Sequence, residues 1–332
     1  MTTRASTTAT ASAPALRFAG ARVLVTGGAG FIGSHLTTAL LDAGAIVRVL
    51  DDLSSGHRTN LDPRAEFVHE SVTAHDSALD RAIAGTSYVF HLAAMVSVPQ
   101  SVTDPDGCFA INIRGTERLL RAAIRARAQG FVLASSAAVY GPSPVVPSRE
   151  TEPIHCVSPY AASKAAGEHL LQSYAANYGI YAVSLRLFNI FGPRQDPTSP
   201  YAAAIAAFLS AALEGRTPTV FGDGLQTRDF TPVANAVQAF CLAANESNGQ
   251  SGEVFNVGLG GSVTLLDVLR EISATLGRPL TPEFEPLRAG DVRTSAANIE
   301  KATTRLGYRP EMSFAEGLRQ TIANGRIVCR SR

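Results

Sequence analysis

A chain of 332 residues with 45% hydrophobic and 17% charged side chains can bury one large core or two joined ones, which excludes a disordered polypeptide. Its formal net charge of +1 excludes nucleic acid or an anionic membrane as the main partner. No apolar run reaches the roughly 18 residues of a membrane span. The four cysteines (Cys108, Cys156, Cys241, Cys329) lack metal-ligand spacing, so no metal is expected and they read as reduced thiols of a cytoplasmic protein.

Residues 1–17 open with a run of Thr, Ala and Ser carrying one arginine. Without an apolar segment it is no secretory signal. It superficially resembles an organellar transit peptide, but a disordered extension is the favoured reading. Folded chain begins with Val23-Leu24-Val25-Thr26, a β-branched run ending in Gly27-Gly28-Ala29-Gly30-Phe31-Ile32-Gly33. A strand, a glycine turn and a helix in that order form the opening of a dinucleotide-binding unit. Gly27 permits the turn, Gly30 lets backbone approach a pyrophosphate, and Gly33 lets the helix close on the strand. An ordinary glycine-rich turn has the same spacing; the next strand decides. Ala45 to Leu50 is apolar and ends in Asp51-Asp52, where an acid can bind ribose hydroxyls and repel a 2′-phosphate, favouring NAD over NADP.

From Arg22 to about Asn189, short apolar runs alternate with helix-length segments, predicting an α/β, Rossmann-type doubly wound parallel sheet. Further strands are expected at Glu66–His69, Tyr88–Ala94, Gly130–Ser136 and Tyr181–Leu187, with helices at about Ile111–Ala128 and Ser158–Tyr178. The proline-rich stretch from Pro142 to Pro153 is expected to be surface loop. Tyr201–Leu213 reads as a buried helix. Beyond Phe191 the pieces shorten between glycines and prolines, which predicts a smaller C-terminal substrate-binding region over the carboxyl ends of the sheet. Val254–Val257 is expected to return a strand to the first region. The expected division is 18–190 plus about 236–262 for nucleotide binding, and 191–235 plus 263–332 for substrate.

Tyr160 and Lys164 stand four apart, so on a helix they share a face. A lysine ammonium, with a nicotinamide ring nearby, is expected to draw the tyrosine below its ordinary pKa of about 10 and make it a base. Ser136, ending the preceding strand, could bond the reacting hydroxyl. An ordinary amphipathic pair has the same spacing; behind a nucleotide-binding unit the catalytic reading is favoured.

Several motifs occur in one order: Thr26 to Gly33, Asp51-Asp52-Leu53-Ser54-Ser55-Gly56, His91-Leu92-Ala93-Ala94, Asn112-Ile113-Arg114-Gly115-Thr116, Ser135 to Gly141, Ser158 to Lys164, Arg186 to Gln195, and Gly222-Asp223-Gly224 through Arg228-Asp229-Phe230. With them the chain resembles the extended short-chain dehydrogenase/reductase family, in its nucleotide-sugar 4-epimerase branch. The resemblance implies NAD held by Gly27, Gly30, Phe31, Ile32, Asp51, Asp52, Ser55, Gly56, Ser71, Val72, Leu92, Ala93, Ala94, Asn112, Tyr160 and Lys164. It implies a UDP-sugar bound by Ser97, Val98, Ser136, Tyr160, Asn189, Gln195, Ala203, Arg228, Arg288, Asp291 and Ser295, the arginines serving the diphosphate; a surface salt bridge is the plainer role for Arg228 or Arg288. Catalysis would pass through Ser136, Tyr160 and Lys164: hydride abstraction at C4, rotation of the 4-keto sugar, and hydride return. A homodimer through the 111–128 and 158–178 helices is implied likewise.

Three departures from the family pattern bear on function. Glu70-Ser71 stands where the family usually has Gly-Asp. Ser136 is followed by Ala137-Ala138, without the acid that dehydratases and decarboxylases carry there. Ser295 stands at the position that gates the sugar pocket, and its small side chain leaves room for an N-acetyl group. With Ser97-Val98-Pro99 and Gln195-Asp196-Pro197, this resembles the UDP-N-acetylglucosamine 4-epimerases, with activity on UDP-glucose/UDP-galactose as a possible addition. A uronate-type epimerase or oxidoreductase is the rival within the family. A non-catalytic NAD sensor is disfavoured by the retained Tyr–Lys pair.

Overall fold

The computed structural model describes residues 18–143, 145–196, 204–245, 249, 251–287 and 292–324. A seven-stranded parallel sheet has the order β11-β6-β5-β4-β1-β2-β3, built from β1 (Arg22–Thr26), β2 (Ile46–Asp51), β3 (Glu66–His69), β4 (Tyr88–His91), β5 (Gly130–Ser136), β6 (Tyr181–Leu187) and β11 (Val254–Val257). Alternation along β1 sends Val23 and Val25 into one core and Leu24 into the other, because successive strand side chains point to opposite faces. The first core takes Leu36 and Leu40 from α1 (Phe31–Asp42), and Phe240 from α8 (Val233–Ala243). The second takes Leu79 from α2 (Asp76–Ile83), Leu119 and Leu120 from α5 (Thr116–Arg125), and Leu171 from α6 (Pro159–Tyr178). Both faces are covered, which is why the strands read as continuous apolar runs. β1 lies between β2 and β4, so the strand order reverses there, the place where doubly wound sheets bind ligands, in a crevice outside the carboxyl ends of their strands.

The expected Ile111–Ala128 helix starts earlier and is not one helix. After α3 (Val98–Thr103), the chain passes through α4 (Pro105–Phe109), a π turn over Ala110–Gly115 and then α5. The π turn places Gly115 against Val72, where an added Cβ would lie 2.8 Å from the valine Cγ2. The apolar period begins only at Ile111, and the sequence before it carries Pro105, Asp106 and Gly107, which mask the start.

Beyond β6 the pieces are short. They are β7 (Ile190–Phe191), α7 (Ala204–Leu213), β8 (Thr219–Phe221), β9 (Thr227–Arg228), β10 (Thr231–Pro232), β12 (Val263–Thr264), α9 (Leu265–Leu276), β13 (Glu283–Glu285), β14 (Thr294–Ser295), α10 (Glu300–Arg305) and α11 (Phe314–Ala323). β9 pairs antiparallel with β12 and parallel with β14. Phe208, Leu209, Val220, Phe230, Val268, Ile272 and Leu318 form a separate core beneath them.

The proline-rich loop is not wholly surface chain. Ser148 is buried and bridges to Ala297. Its N–H donates to the Ala296 carbonyl at 2.9 Å, and its own carbonyl accepts from the Asn256 amide at 2.9 Å. These partners satisfy the backbone without a central ladder, so burial carries no orphan penalty. Among the described residues, no helix is long and apolar enough to cross a membrane.

Candidate active site

The glycine turn is shaped by close approach. Gly27 has φ +71°, and a Cβ there would meet Ala93 N at 2.7 Å, while one on Gly33 would meet the Gly27 carbonyl at 2.1 Å. α1 begins with Gly30 as its N-cap and has no side-chain cap. Its first amides and positive dipole end therefore face the crevice, a fit for a pyrophosphate. Asp51 is buried and accepts from Ala29 N–H at 2.9 Å and Leu53 N–H at 2.8 Å, so the acid that ends β2 also holds the turn. Burial pushes its carboxyl up, and the two backbone N–H groups oppose this. Gly56 packs on Ala29, His57 N–H and the Asn60 amide donate to the Ala29 carbonyl, and Ser55 is exposed. Asp52 takes the Ser54 N–H at 3.0 Å; burial pushes its carboxyl up, but hydrogen bonds from Ser54 and Ser71 prevail and lower it. Phe31 and Ile32 start α1, half-buried, and Val72 belongs to the core below α5.

His91, which sequence reasoning noted only as part of a motif, organises the wall opposite. Its ring bonds Thr26 Oγ1 at 2.7 Å and Thr116 Oγ1 at 2.9 Å, and Thr26 Oγ1 accepts from Ala93 N–H at 3.3 Å. Burial, with Lys164 adding to it, pulls His91 down to about 3, so it is a neutral strut joining β1, β4 and the helix past the π turn. Asn112 holds the chain just past Ala94: it accepts from Met95 N–H at 2.8 Å, donates to the Met95 carbonyl at 3.0 Å, and donates to Ser163 Oγ at 2.9 Å. It thus fixes the loop after β4.

Ser136, Tyr160 and Lys164 do come together. Lys164 lies 5.8 Å from the Tyr160 ring centroid and donates to the Ala134 carbonyl at 2.9 Å. Burial draws the ammonium down to about 8. Burial pushes Tyr160 above its ordinary value, and the nearby Ser136 side chain only partly offsets this. One of the three ammonium protons goes to β5, which leaves two donors on Lys164 for other partners. Behind the triad, Ser135 and Arg186 both bond Glu168, at 2.5 Å and at 2.9 and 2.7 Å, and Arg186 lies over the Tyr140 ring at 4.8 Å. Breaking one side of such a buried pair costs about 3–5 kcal/mol. No period or motif spacing distinguishes Glu168 from a surface helix acid.

The candidate sugar residues are spread over the second region and the loop before α3. Ser97 caps α3 and Val98 begins it. Asn189 has φ +28° and its carbonyl accepts from Thr231 N–H at 3.2 Å. Gln195 donates to the Ile190 carbonyl at 3.4 Å. Arg228 donates to the Thr227 carbonyl at 2.8 Å and stands in register with Ser295 on β14, so the gate position and one arginine are neighbours. Asp229, fully buried, accepts from Leu259, Gly260 and Ala297 N–H and the Thr231 hydroxyl. Its four donors tie β9 to the end of β11, and burial pushes its carboxyl up. Ala203, Arg288 and Asp291 lie outside the described residues. Among the described residues, no cluster of His, Cys, Asp and Glu could hold a metal.

A parallel sheet with a glycine turn at its switch point and a Ser–Tyr–Lys set beside it defines a dinucleotide-dependent α/β enzyme. A sequence model described as the NAD dependent epimerase/dehydratase family matches residues 23–258, and the chain belongs to that family, within the extended short-chain dehydrogenases/reductases. It is 41% identical to a UDP-glucose 4-epimerase of Mycolicibacterium smegmatis over 91% of this chain and 97% of that one. The UDP-N-acetylglucosamine 4-epimerase of Methanobrevibacter ruminantium M1, solved with UDP-N-acetylmuramic acid, is 39% identical with a TM-score of 0.87, covering 92% and 98% of the two chains. The UDP-glucose 4-epimerase of Thermotoga maritima, solved with UDP-glucose, is 37% identical with a TM-score of 0.87 over the same shares.

Proposed function

We propose that this enzyme interconverts the C4 epimers of a UDP-hexose, with UDP-N-acetylglucosamine/UDP-N-acetylgalactosamine as the preferred pair. The observation that carries the reaction is Lys164 lying 5.8 Å from the Tyr160 ring on one helix face, with the Ser136 side chain close enough to favour the phenolate, in a fold whose α1 N-terminus has no side-chain cap. NAD would be held by the glycine turn, Asp51, the 92–94 segment and Lys164, and when bound it supplies reversible acceptance of hydride from the sugar. Tyr160 takes the 4-hydroxyl proton and returns it, and Ser136 holds the hydroxyl in line. Arg228, with Arg288, Asp291, Asn189 and Gln195, would bind the nucleotide diphosphate, while Ala203, Ser97 and Val98 would border the sugar. The region 191–235 plus 263–332 would then be the sugar-binding part.

The N-acetyl preference rests on Ser295, small and placed beside Arg228 on β14. The names of the curated relatives support plain UDP-glucose as the second reading. Incubating the protein with each donor separately, without added NAD, and resolving products by anion exchange tests both. A 4-epimer from UDP-N-acetylglucosamine with a slower glucose reaction is the expected result. Product from UDP-glucose alone selects the second reading, and none from either removes both. We also propose a homodimer through α5 and α6, tested by sedimentation. We further propose a cytoplasmic location, where free cysteines such as Cys108, Cys156 and Cys241 stay reduced.

A further inference from the structure

The N-terminus of α6 carries the candidate base at its second position, and its orphan amides are satisfied unevenly. Pro159 has no N–H, the Ser158 hydroxyl accepts from Ala161 N–H at 3.1 Å, and the Ser158 carbonyl accepts from Ala162 N–H at 3.0 Å. Only the Tyr160 N–H is taken by a distant residue: it donates to Ser101 Oγ at 3.1 Å. Ser101 is fully buried on α3, and its own hydroxyl donates to the Val98 carbonyl at 2.6 Å. The Tyr160 carbonyl is gripped as well, by Ser163 Oγ at 2.7 Å, which in turn accepts from Asn112. Both ends of the Tyr160 backbone are thus bonded by hydroxyls, and one of these bonds runs to the turn that holds Ser97 and Val98.

We propose that Ser101 is a positioning residue for the epimerisation: it sets the Tyr160 hydroxyl against Ser136 and couples the turn at Ser97–Val98 to the place of the base. A helix cap could have come from α6 itself, as Ser158 shows for Ala161. Ser101 instead accepts from the base's own peptide and donates to the carbonyl of a candidate sugar neighbour, so a shift of that turn reaches Tyr160 through two hydrogen bonds. The other groups that face Tyr160 are Lys164 on its own helix, Cys108 on α4 and Ser136 at the end of β5. Of these, Ser136 favours the phenolate, and its approach to the phenol depends on where the Tyr160 backbone stands.

The inference rests on Tyr160 as base, and the two fail separately: turnover retained in Tyr160→Phe removes the base, whatever Ser101 does. The test compares Ser101→Ala with Ser158→Ala, which removes only the local cap. Ser101→Ala is expected to lower kcat about tenfold with KM for the UDP-sugar within twofold, and to move the acidic limb of the kcat profile upward by about half a pH unit. Ser158→Ala should lower Tm but leave that limb in place. Wild-type kcat and pH profile in Ser101→Ala, or an equal shift of the limb in Ser158→Ala, would make Ser101 a mere cap and overturn the proposal. If Ser101→Ala does not fold, Ser101→Cys, isosteric but a weak acceptor, is read by the same three quantities and the same outcomes.

Discussion

Up to Leu187 every strand joins one parallel sheet, and each lies beside the strand that follows it in the chain except at β3, after which the order reverses and β4 pairs with β1. After Phe191, strands of two or three residues find partners far along the chain: Thr227 lies against Thr294 and Thr219 against Glu283. In the first region, strand-length apolar runs alternating with helices decide the sheet, and the proposed chemistry sits on regular elements, with Ser136 ending β5 and Tyr160 and Lys164 on α6. In the second, side chains do what ladders cannot. Asp229 gathers three N–H groups and a hydroxyl from three segments. The proposed reaction machinery thus lies on the large sheet and its helices, and the proposed sugar gate on the region built from short strands over its own core. Specificity can change there without disturbing the chemistry.

The comparison can be broken in four places. Tyr160→Phe should reduce turnover by about 10³-fold while both regions keep their melting behaviour. Turnover near wild type would take the chemistry off the first region altogether. Asp229→Ala should destabilise the second region by about 3 kcal/mol, since it orphans several buried donors at once. Hydrogen exchange should rise over 219–231 and 254–264 before it rises over β1–β6; uniform loosening would show one cooperative unit instead.

A third test is one of pH within the first region. His91 binds a proton near 6.5 when unfolded and at about 3 when folded, so between those values the unfolded chain holds more protons. Stability contributed by neutral His91 is present above 6.5 and lost as pH falls toward 3, by up to about 1.4 kcal/mol per pH unit. His91→Gln should flatten the fall of Tm in that window, and an unchanged slope would contradict the assignment. The smallest effect is expected from Ser295→Tyr: about tenfold lower kcat/KM on N-acetylated donors, or about 1.4 kcal/mol, with UDP-glucose little affected. Equal loss on both would show that the gate lies elsewhere.

The sequence by itself determined the doubly wound sheet, the glycine turn facing an acid-tipped β2, and the shared face of Tyr160 and Lys164. Each is a matter of period or spacing over a few residues, where backbone geometry leaves little choice. It also led to the family, through motifs in a set order. Tertiary structure alone decided the rest. The π turn that seats Asn112 is invisible to a 3.6-residue period. The burial of Ser148, the strut at His91 and the Glu168–Arg186 pair depend on partners many residues away, and nothing local marks them. The surroundings of Tyr160 depend on the fold in the same way: helical spacing brings Lys164 near, but only packing shows its ammonium bonded to Ala134 and the phenol desolvated. Spacing along a chain sets which groups can meet; burial and the competing partners of the fold set what charge they carry when they do.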